Sequence, residues 1–383
     1  MGTNIRLGRI WGISIELSWT WFLVFALVTW SLAVGYFPAE YPSLSPAVHF
    51  AVAAGTSILF FGSVLLHELG HAYAALRTGT GVRSITLFIF GGVAQLEDEP
   101  QTPGAALRVA LAGPVVSLLL ALLFGGLWLL DQRVPWLAAP SAYLARINLL
   151  LALFNMIPGY PLDGGRVLQA IVWRFTGDGR QATRAAATVG QLVAFVFIGV
   201  GLIVALNDGL FNGLWLAFIG WFLQNAAASA AAGTKVEPVL EQLTVQQVMR
   251  PDWPEVPGRM PLNRLVVDYM LRGSPRYFFV RRNGHGYEES NGHRDLPPHG
   301  MLTATDIMRI PQTSWGRIPS EEVMVGWERL VTVSPEMNLL QAMRIMDMAN
   351  VAQVPVIAEG RLVGILSREG VMHALQVQME MGG

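Results

Sequence analysis

The chain has 383 residues, of which 52% are hydrophobic, 14% are charged and none is cysteine, and its formal net charge is −1. Because soluble domains carry about 25% charged residues, the composition excludes an ordinary soluble globule. The near-neutral charge excludes a broad basic surface for nucleic acid, and without cysteine any metal ion must be held by histidine, aspartate or glutamate.

Charged residues are concentrated toward the C-terminus, since residues 1–233 hold only 21 of the 53 charged side chains. A helix that crosses a bilayer needs about 20 mostly apolar residues. Five stretches are free of charge over such a length, and a sixth is interrupted only by Arg146 and Asn155. The sequence therefore predicts six membrane-spanning helices, at residues 17–37, 41–66, 109–130, 141–158, 185–207 and 209–234.

The short loops between these spans differ in their arginine content. Positively charged residues favour the cytoplasmic side of a membrane. The loops on one side contain only Arg133, whereas the segments on the other contain Arg6, Arg9, Arg77, Arg83, Arg108, Arg166, Arg174, Arg180 and Arg184. We therefore expect a multi-pass protein of the cell membrane with both termini in the cytoplasm.

The second predicted span ends in His67-Glu68-Leu69-Gly70-His71. Histidines four residues apart share one face of a helix, so both imidazoles reach a single divalent ion, and the glutamate lies close enough to take a proton from water. Ionisable groups at membrane depth are costly unless they are used. The pattern predicts a zinc-hydrolase site. The alternative is a chance match, with two interfacial histidines solvated by lipid headgroups.

Residues 84–96 follow this span and contain two β-rich stretches around Gly91-Gly92. A glycine pair between two runs of strand-forming residues is typical of a β-hairpin. We expect a membrane-associated hairpin directly after the predicted zinc helix.

Catalytic zinc usually has three protein ligands, so one more is needed. The other histidines are remote in sequence, and the best remaining candidate is Asp163, which follows the fourth span. Two prolines and three glycines break the helix within residues 155–166. Irregular backbone at membrane depth is tolerated only inside protein or beside a wet cavity, which indicates a site. The alternative is an interfacial turn in which Asp163 caps the next helix.

The combination of His67-Glu68-x-x-His71 with Asn155-x-x-Pro-x-x-x-Leu-Asp163-Gly resembles the site-2 protease family of intramembrane metalloproteases. The resemblance covers residues 1–233. It implies that His67, His71 and Asp163 bind one zinc ion and that Glu68 is the catalytic glutamate. It further implies that Asn155 holds the substrate carbonyl or the oxyanion.

The resemblance also implies a substrate class: a single-span membrane protein, such as a membrane-bound transcription regulator or an anti-sigma factor. A peptide bond inside a helix is shielded from attack, so part of such a substrate must be held extended. An open strand edge of the hairpin at 84–96 would hold it by β-augmentation, and a hairpin in the family is thought to guide substrate in this way. The alternative is an ordinary interfacial hairpin.

The C-terminal part of the chain contains a tandem repeat with a period of about 75 residues. Residues 244–249 recur loosely as 319–324, and residues 300–306 recur as 364–370. This pattern resembles a pair of CBS domains, α+β regulatory modules that often bind adenine nucleotides and commonly self-associate.

The CBS resemblance implies that Thr303 and Asp306 hold ATP or another adenine nucleotide and that the protein forms a homo-oligomer. The second copy departs from the family pattern, because Gly370 occupies the position of the aspartate. The alternative is a purely structural or dimerising pair.

The predicted fold is an all-α polytopic membrane domain with a membrane-associated β-hairpin, followed by an α+β cytoplasmic tandem CBS domain. An insertion at 283–299 carries His285 and His293 in a glycine-rich, polar setting, which favours a solvated loop over a metal site. We expect a membrane domain, a linker and two CBS domains, at residues 1–233, 234–242, 243–310 and 311–383.

The predicted function is zinc-dependent hydrolysis of a peptide bond in or near a transmembrane segment, controlled by the nucleotide-sensing module. One alternative is a CBS-regulated transporter or channel, which would more often show repeated, broken helices around a midplane site. Another is a membrane protease of a different zinc lineage with glutamate as third ligand, although no later span offers a convincing glutamate.

Overall fold

A computed structural model describes residues 4–42, 45–89, 91–97, 99–207, 209–272, 276–281 and 298–381. The chain divides into two compact units, Met1–Thr234 and Lys235–Gly383. His285 and His293, for which the sequence favours a solvated loop, lie outside the described residues.

The first unit is mainly helical. Its helices are α1 Trp19–Glu40, α2 Pro46–Arg77, α3 Pro103–Asp131, α4 Pro135–Asn155, α5 Asp163–Thr176, α6 Gly179–Asn207 and α7 Leu210–Gln242, the last of which runs across the division between the units. Three of them, α2, α3 and α4, begin at a proline, whose fixed φ suits the first helical position and whose missing N–H is not needed there. Ser45 and Thr102 cap α2 and α3 by accepting backbone N–H groups.

Six of these helices are long and apolar enough to cross a membrane, and each contains most of one predicted span. They are α1, α2, α3, α4, α6 and α7. Within the described part of the chain, α5 is the helix of this unit that does not meet the criterion. The prediction of six membrane helices is confirmed, and the protein is a multi-pass membrane protein.

A four-stranded sheet packs against α2, the helix that carries His67 and His71. Its strands are β1 Ile5–Ile10, β2 Ile13–Leu17, β3 Val82–Phe88 and β4 Gly91–Leu96, in the spatial order β1-β2-β3-β4. Strands β3 and β4 pair antiparallel, which confirms the predicted hairpin, and β2 pairs with β3 in parallel. Ile13, Ile15 and Ile85 are buried against Leu69 and its neighbours on α2. This core fixes the sheet beside the histidine motif.

The second unit is built from the two copies of the repeat. Each copy contains a short helix, a longer helix and a strand pair followed by a further helix. The first copy contains α8 Val245–Val248, β5 Glu255–Pro257, α9 Leu262–Asp268, β6 Tyr277–Arg281, β7 Gly300–Thr303 and α10 Ala304–Met308. The second contains α11 Ser320–Val323, β8 Val325–Gly326, α12 Leu339–Met348, β9 Gln353–Ala358, β10 Arg361–Ser367 and α13 Arg368–Met381.

The two copies exchange their first segments. The described strands form one sheet in the order β5-β6-β7-β8 and a second sheet in the order β10-β9. Strand β8 of the second copy therefore pairs with β7 of the first. In the opposite direction, Arg250 of the first copy forms a β-bridge with Ile365 of the second. Each copy completes the other, so the tandem forms one α+β body.

Candidate metal centre

The helix α2 places two imidazoles on one face. His67 and His71 are one helical turn apart, and their Nε2 atoms are 3.2 Å apart. Their side chains are only 5% and 13% exposed, in a helix long and apolar enough to span a membrane. The two ring nitrogens therefore point at one small, shielded volume.

The third group comes from the break between α4 and α5. Helix α4 ends at Asn155, and Asp163 is the first residue of α5, after an irregular segment at 156–162. Leu162 is the N-cap of α5, and no side chain supplies a capping hydrogen bond there. The Asp163 Oδ2 atom instead lies 3.2 Å from the Nε2 atoms of both histidines. The carboxylate is thus directed at the imidazoles and not at its own helix terminus.

Glycines allow this break to pack closely. A Cβ added to Gly164 or Gly165 would collide with backbone of the segment 156–162. A Cβ added to Gly190 of α6 would collide with the backbone of Tyr160 in the same segment. Backbone that approaches this closely requires glycine, and the contact holds Asp163 in place.

The three ligand atoms fit a zinc ion. They form a triangle with edges of 3.2 Å each. Tetrahedral zinc with bonds of about 2.0–2.1 Å separates its ligands by roughly 3.3 Å. Gly113 of α3 faces the triangle, because a Cβ there would collide with the Nε2 atoms of both histidines. The donor set, the spacing and the glycine together leave room for one ion, with one position open for water.

Two groups on α3 orient the imidazoles. The Nδ1 of His67 lies 2.8 Å from the hydroxyl oxygen of Ser117, and the Nδ1 of His71 lies 2.7 Å from the carbonyl oxygen of Val109. When each Nδ1–H donates to its oxygen, the Nε2 lone pair is left free for the metal. Sequence reasoning missed both partners.

Glu68 lies under the edge strand of the sheet. Its side chain is half-buried, and a Cβ added to Gly92 of β4 would collide with it. Strand β4 is paired on one side with β3 and forms the edge of the four-stranded sheet. The catalytic glutamate predicted from the sequence and an open strand edge therefore meet at Gly92. Asn155 lies half-buried at the end of α4, eight residues before Asp163.

The predicted nucleotide residues Thr303 and Asp306 contact each other. The Thr303 hydroxyl donates to Asp306 Oδ2 at 2.6 Å, and the backbone N–H of Thr303 donates to the same oxygen at 3.0 Å. The pair forms a capping box at the start of α10. In the second copy the backbone N–H of Gly370 donates to the Ser367 hydroxyl. In both copies, polar groups of this turn are therefore hydrogen-bonded to each other within the turn.

Comparison with known proteins finds a family match within each of the two units. The model of "Peptidase family M50" matches residues 55–137 and 131–199, and the model of "CBS domain" matches residues 321–377. The chain is 36% identical to the "Putative zinc metalloprotease sll0528" of Synechocystis sp. over 98% of this chain and 96% of that protein. It is 40% identical to the "Putative zinc metalloprotease Rip3" of Mycobacterium tuberculosis over 89% of this chain and 88% of that protein. The solved "Site-2 Protease from Methanocaldococcus jannaschii" is 33% identical and covers 60% of this chain and 95% of its own, with a TM-score of 0.41.

Proposed function

The chain belongs to peptidase family M50, the site-2 protease family, as a membrane zinc metallopeptidase with a C-terminal CBS domain, and we propose that it cleaves other membrane proteins within the bilayer. The proposed reaction is hydrolysis of a peptide bond in or near the transmembrane segment of a single-span protein. A membrane-bound transcription regulator or an anti-sigma factor would be such a substrate. The observation that carries the proposal is the convergence of His67, His71 and Asp163 beside Glu68. The two histidines and the glutamate lie on a helix that is long and apolar enough to cross a membrane.

In this proposal His67, His71 and Asp163 hold the zinc ion, and Ser117 with the Val109 carbonyl keeps the imidazoles in the binding tautomer. Zinc, when bound, lowers the pKa of water and polarises the substrate carbonyl. Glu68 takes the proton from the attacking water and later gives it to the leaving amine nitrogen. One carboxylate thus serves as base and then as acid.

Asn155 is proposed to stabilise the developing oxyanion. Its side-chain amide donates hydrogen bonds, and it ends the helix that leads into the Asp163 segment. Removing such a donor in other hydrolases costs about 2.7–4 kcal/mol of transition-state stabilisation.

The edge of β4 is proposed to hold the substrate extended. An exposed strand edge offers unpaired N–H and C=O groups, which pair with an added strand. Because Gly92 on this strand touches Glu68, a peptide paired with β4 would lie within reach of the base. This arrangement would unwind the substrate helix where the cut occurs.

We propose that both termini are cytoplasmic, on the distribution of arginine between the loops. In this orientation the zinc site and the CBS domain are both reached from the cytoplasm. Family membership sets aside the transporter or channel alternative, because the first unit is that of a metallopeptidase.

The CBS module is proposed to bind an adenine nucleotide at Thr303 and Asp306, to control cleavage and to form the homo-oligomer. Binding would replace their mutual hydrogen bond with bonds to the ligand. ATP should then raise the unfolding temperature of the full-length protein, and Asp306→Ala should abolish that rise. An equal rise in the variant, or none in either protein, contradicts the proposed site.

The test of the catalytic proposal is Glu68→Gln in the purified full-length protein. A general base contributes about 10²–10⁴-fold to rate, so cleavage of a reconstituted single-span substrate should fall by at least 100-fold. Zinc content, measured by atomic emission, should stay at one ion per chain because no ligand changes. Retained cleavage in the variant would remove Glu68 from the mechanism.

A chelator should abolish cleavage by the wild type, and added zinc should restore it.

A further inference from the structure

Three polar side chains around the Asp163 segment are hydrogen-bonded in series. The Tyr160 hydroxyl donates to Gln169 Oε1 at 2.7 Å, and Gln169 Nε2 donates to the Thr183 hydroxyl oxygen at 2.8 Å. Tyr160 precedes Asp163 in the irregular segment 156–162, and Gln169 follows it on α5. Thr183 lies on α6. The polar chain Tyr160–Gln169–Thr183 therefore joins both flanks of the proposed ligand to a third element.

One carbonyl group sets the direction of the polar chain. The Thr183 hydroxyl donates to the carbonyl oxygen of Gly179 at 2.9 Å, so the Thr183 oxygen accepts from Gln169. The amide nitrogen of Gln169 must then face Thr183, and its amide oxygen must face Tyr160. Because an amide oxygen only accepts, the Tyr160 hydroxyl donates. The reversed arrangement would give up the bond to Gly179.

Helix α6 also holds the backbone of the same segment. The Tyr160 N–H donates to the carbonyl oxygen of Ala186 at 3.2 Å. Thr183, Ala186 and Gly190 follow one another at intervals of three and four residues, so they share one face of α6. The backbone of Tyr160 packs closely on Gly190, where a Cβ would collide with it. One face of α6 thus holds Tyr160 through both its side chain and its main chain.

The Asp163 carboxylate has less direct support than the two imidazoles. Each imidazole has its own oxygen partner on α3, whereas the carboxylate contacts among the described residues are the two imidazole nitrogens. Metal-binding carboxylates are usually held by further hydrogen bonds. A site must hold its ligand groups within about 0.5 Å of the productive geometry. The position of Asp163 therefore depends on how firmly its own segment of backbone is held.

We propose that the polar chain positions the Asp163 carboxylate for zinc, so that Tyr160, Gln169 and Thr183 are positioning residues of the metal centre. The inference rests on the proposed metal site and goes beyond it. The sequence patterns that mark the site contain neither Gln169 nor Thr183. Loss of one bond in the chain should free the Asp163 segment from α6 and weaken zinc binding, while the histidines keep their own partners.

The first experiment measures the zinc affinity of the metal-free full-length protein by competition with a fluorescent zinc chelator. Tyr160→Phe and Thr183→Val should each weaken zinc binding about tenfold, the lower end of the range for loss of a group that orients a ligand. Thr183→Ser keeps the hydroxyl and should bind zinc as the wild type does. Thr188→Val on α6 is the matched control, because its exposed hydroxyl donates only to the Arg184 carbonyl of its own helix.

A double variant tests whether the three side chains act as one unit. Tyr160→Phe and Gln169→Leu interrupt the same chain, so together they should weaken zinc binding no more than the stronger single change. Independent effects would instead multiply to about 100-fold. A multiplied loss would overturn the polar chain as a unit.

The second experiment reports on the segment without zinc. Hydrogen–deuterium exchange in the metal-free Thr183→Val protein should be faster than in the wild type over residues 156–166. Exchange around His67 and His71 should be unchanged, and Thr188→Val should match the wild type throughout. Unchanged exchange over residues 156–166 in Thr183→Val would contradict the inference.

A purely structural link between α5 and α6 predicts a different result. Tyr160→Phe and Thr183→Val would then lower the unfolding temperature of the metal-free protein and leave its zinc affinity as in the wild type, which overturns the inference while the proposed function stands. Asp163→Ala is the reference and should weaken zinc binding more than either variant. Wild-type zinc affinity in Asp163→Ala would overturn the proposed metal site, and the inference with it.

Discussion

At the scale of single residues, the second nitrogen of each histidine sets the chemistry of the first. His67 and His71 contact oxygen atoms through Nδ1, so their Nε2 atoms face Asp163. Such outer partners hold the ring orientation and raise the basicity of the ligand atom. The site therefore depends on α3 as well as on the helix that carries the histidines.

Gly113→Ala tests whether the space between the ligands is occupied by a metal ion. The new Cβ would lie against both Nε2 atoms, so zinc affinity should fall at least as much as after loss of an outer partner, about 10- to 100-fold. Gly126→Ala on the same helix meets nothing within 4 Å and serves as control. Competition with a fluorescent zinc chelator measures both. Unchanged affinity in Gly113→Ala would show that the ion sits elsewhere.

The ligands were predictable from the sequence to different degrees. The spacing of His67 and His71 on a helix indicates a shared ion by geometry alone. Asp163 was reached by elimination and by family resemblance. Ser117 and Val109 lie 50 and 38 residues from the histidines they contact, and nothing local marks them as partners. Packing of two helices decides such contacts.

At the scale of elements, the helices were the most predictable part. In a bilayer every backbone polar group must be satisfied within the segment, so a long charge-free run is nearly always a helix. The hairpin β3–β4 was marked by its glycine pair. The first two strands were missed, because β1 carries Arg6 and Arg9 and resembles a polar tail. The feature that marks these two strands as a hairpin is the turn between them, at Trp11 and Gly12. Both residues have a positive φ, as tight hairpin turns require.

Gly92→Ala tests the contact between the edge strand and the proposed base. The added methyl group would displace the Glu68 side chain but leave all three ligands, so zinc should stay bound while cleavage falls about 100-fold. Val93→Ala, on the same strand at a residue 48% exposed, should keep near-normal activity. Metal content and cleavage rate measured on each protein provide the comparison. Full activity in Gly92→Ala would place β4 away from the reaction.

At the scale of the whole molecule, the distribution of charge predicted two parts in different surroundings. The repeat predicted a tandem in the second part. The exchange between the copies was not predictable, because β8 has two residues and the bridge at Arg250 is a single pair. Segments this short have no periodicity, so tertiary packing alone assigns them to a sheet.

The central claim is that one zinc ion is bound jointly by two imidazoles and the Asp163 carboxylate. The most direct measurement is zinc K-edge X-ray absorption on the purified full-length protein, together with Asp163→Ala. The account predicts one zinc per chain, two imidazole ligands, light-atom distances of about 2.0–2.2 Å and no sulfur. In Asp163→Ala, the affinity should fall sharply with the imidazole signal retained in whatever metal remains. A wild-type protein without zinc, or a variant with unchanged affinity and spectrum, would contradict the claim.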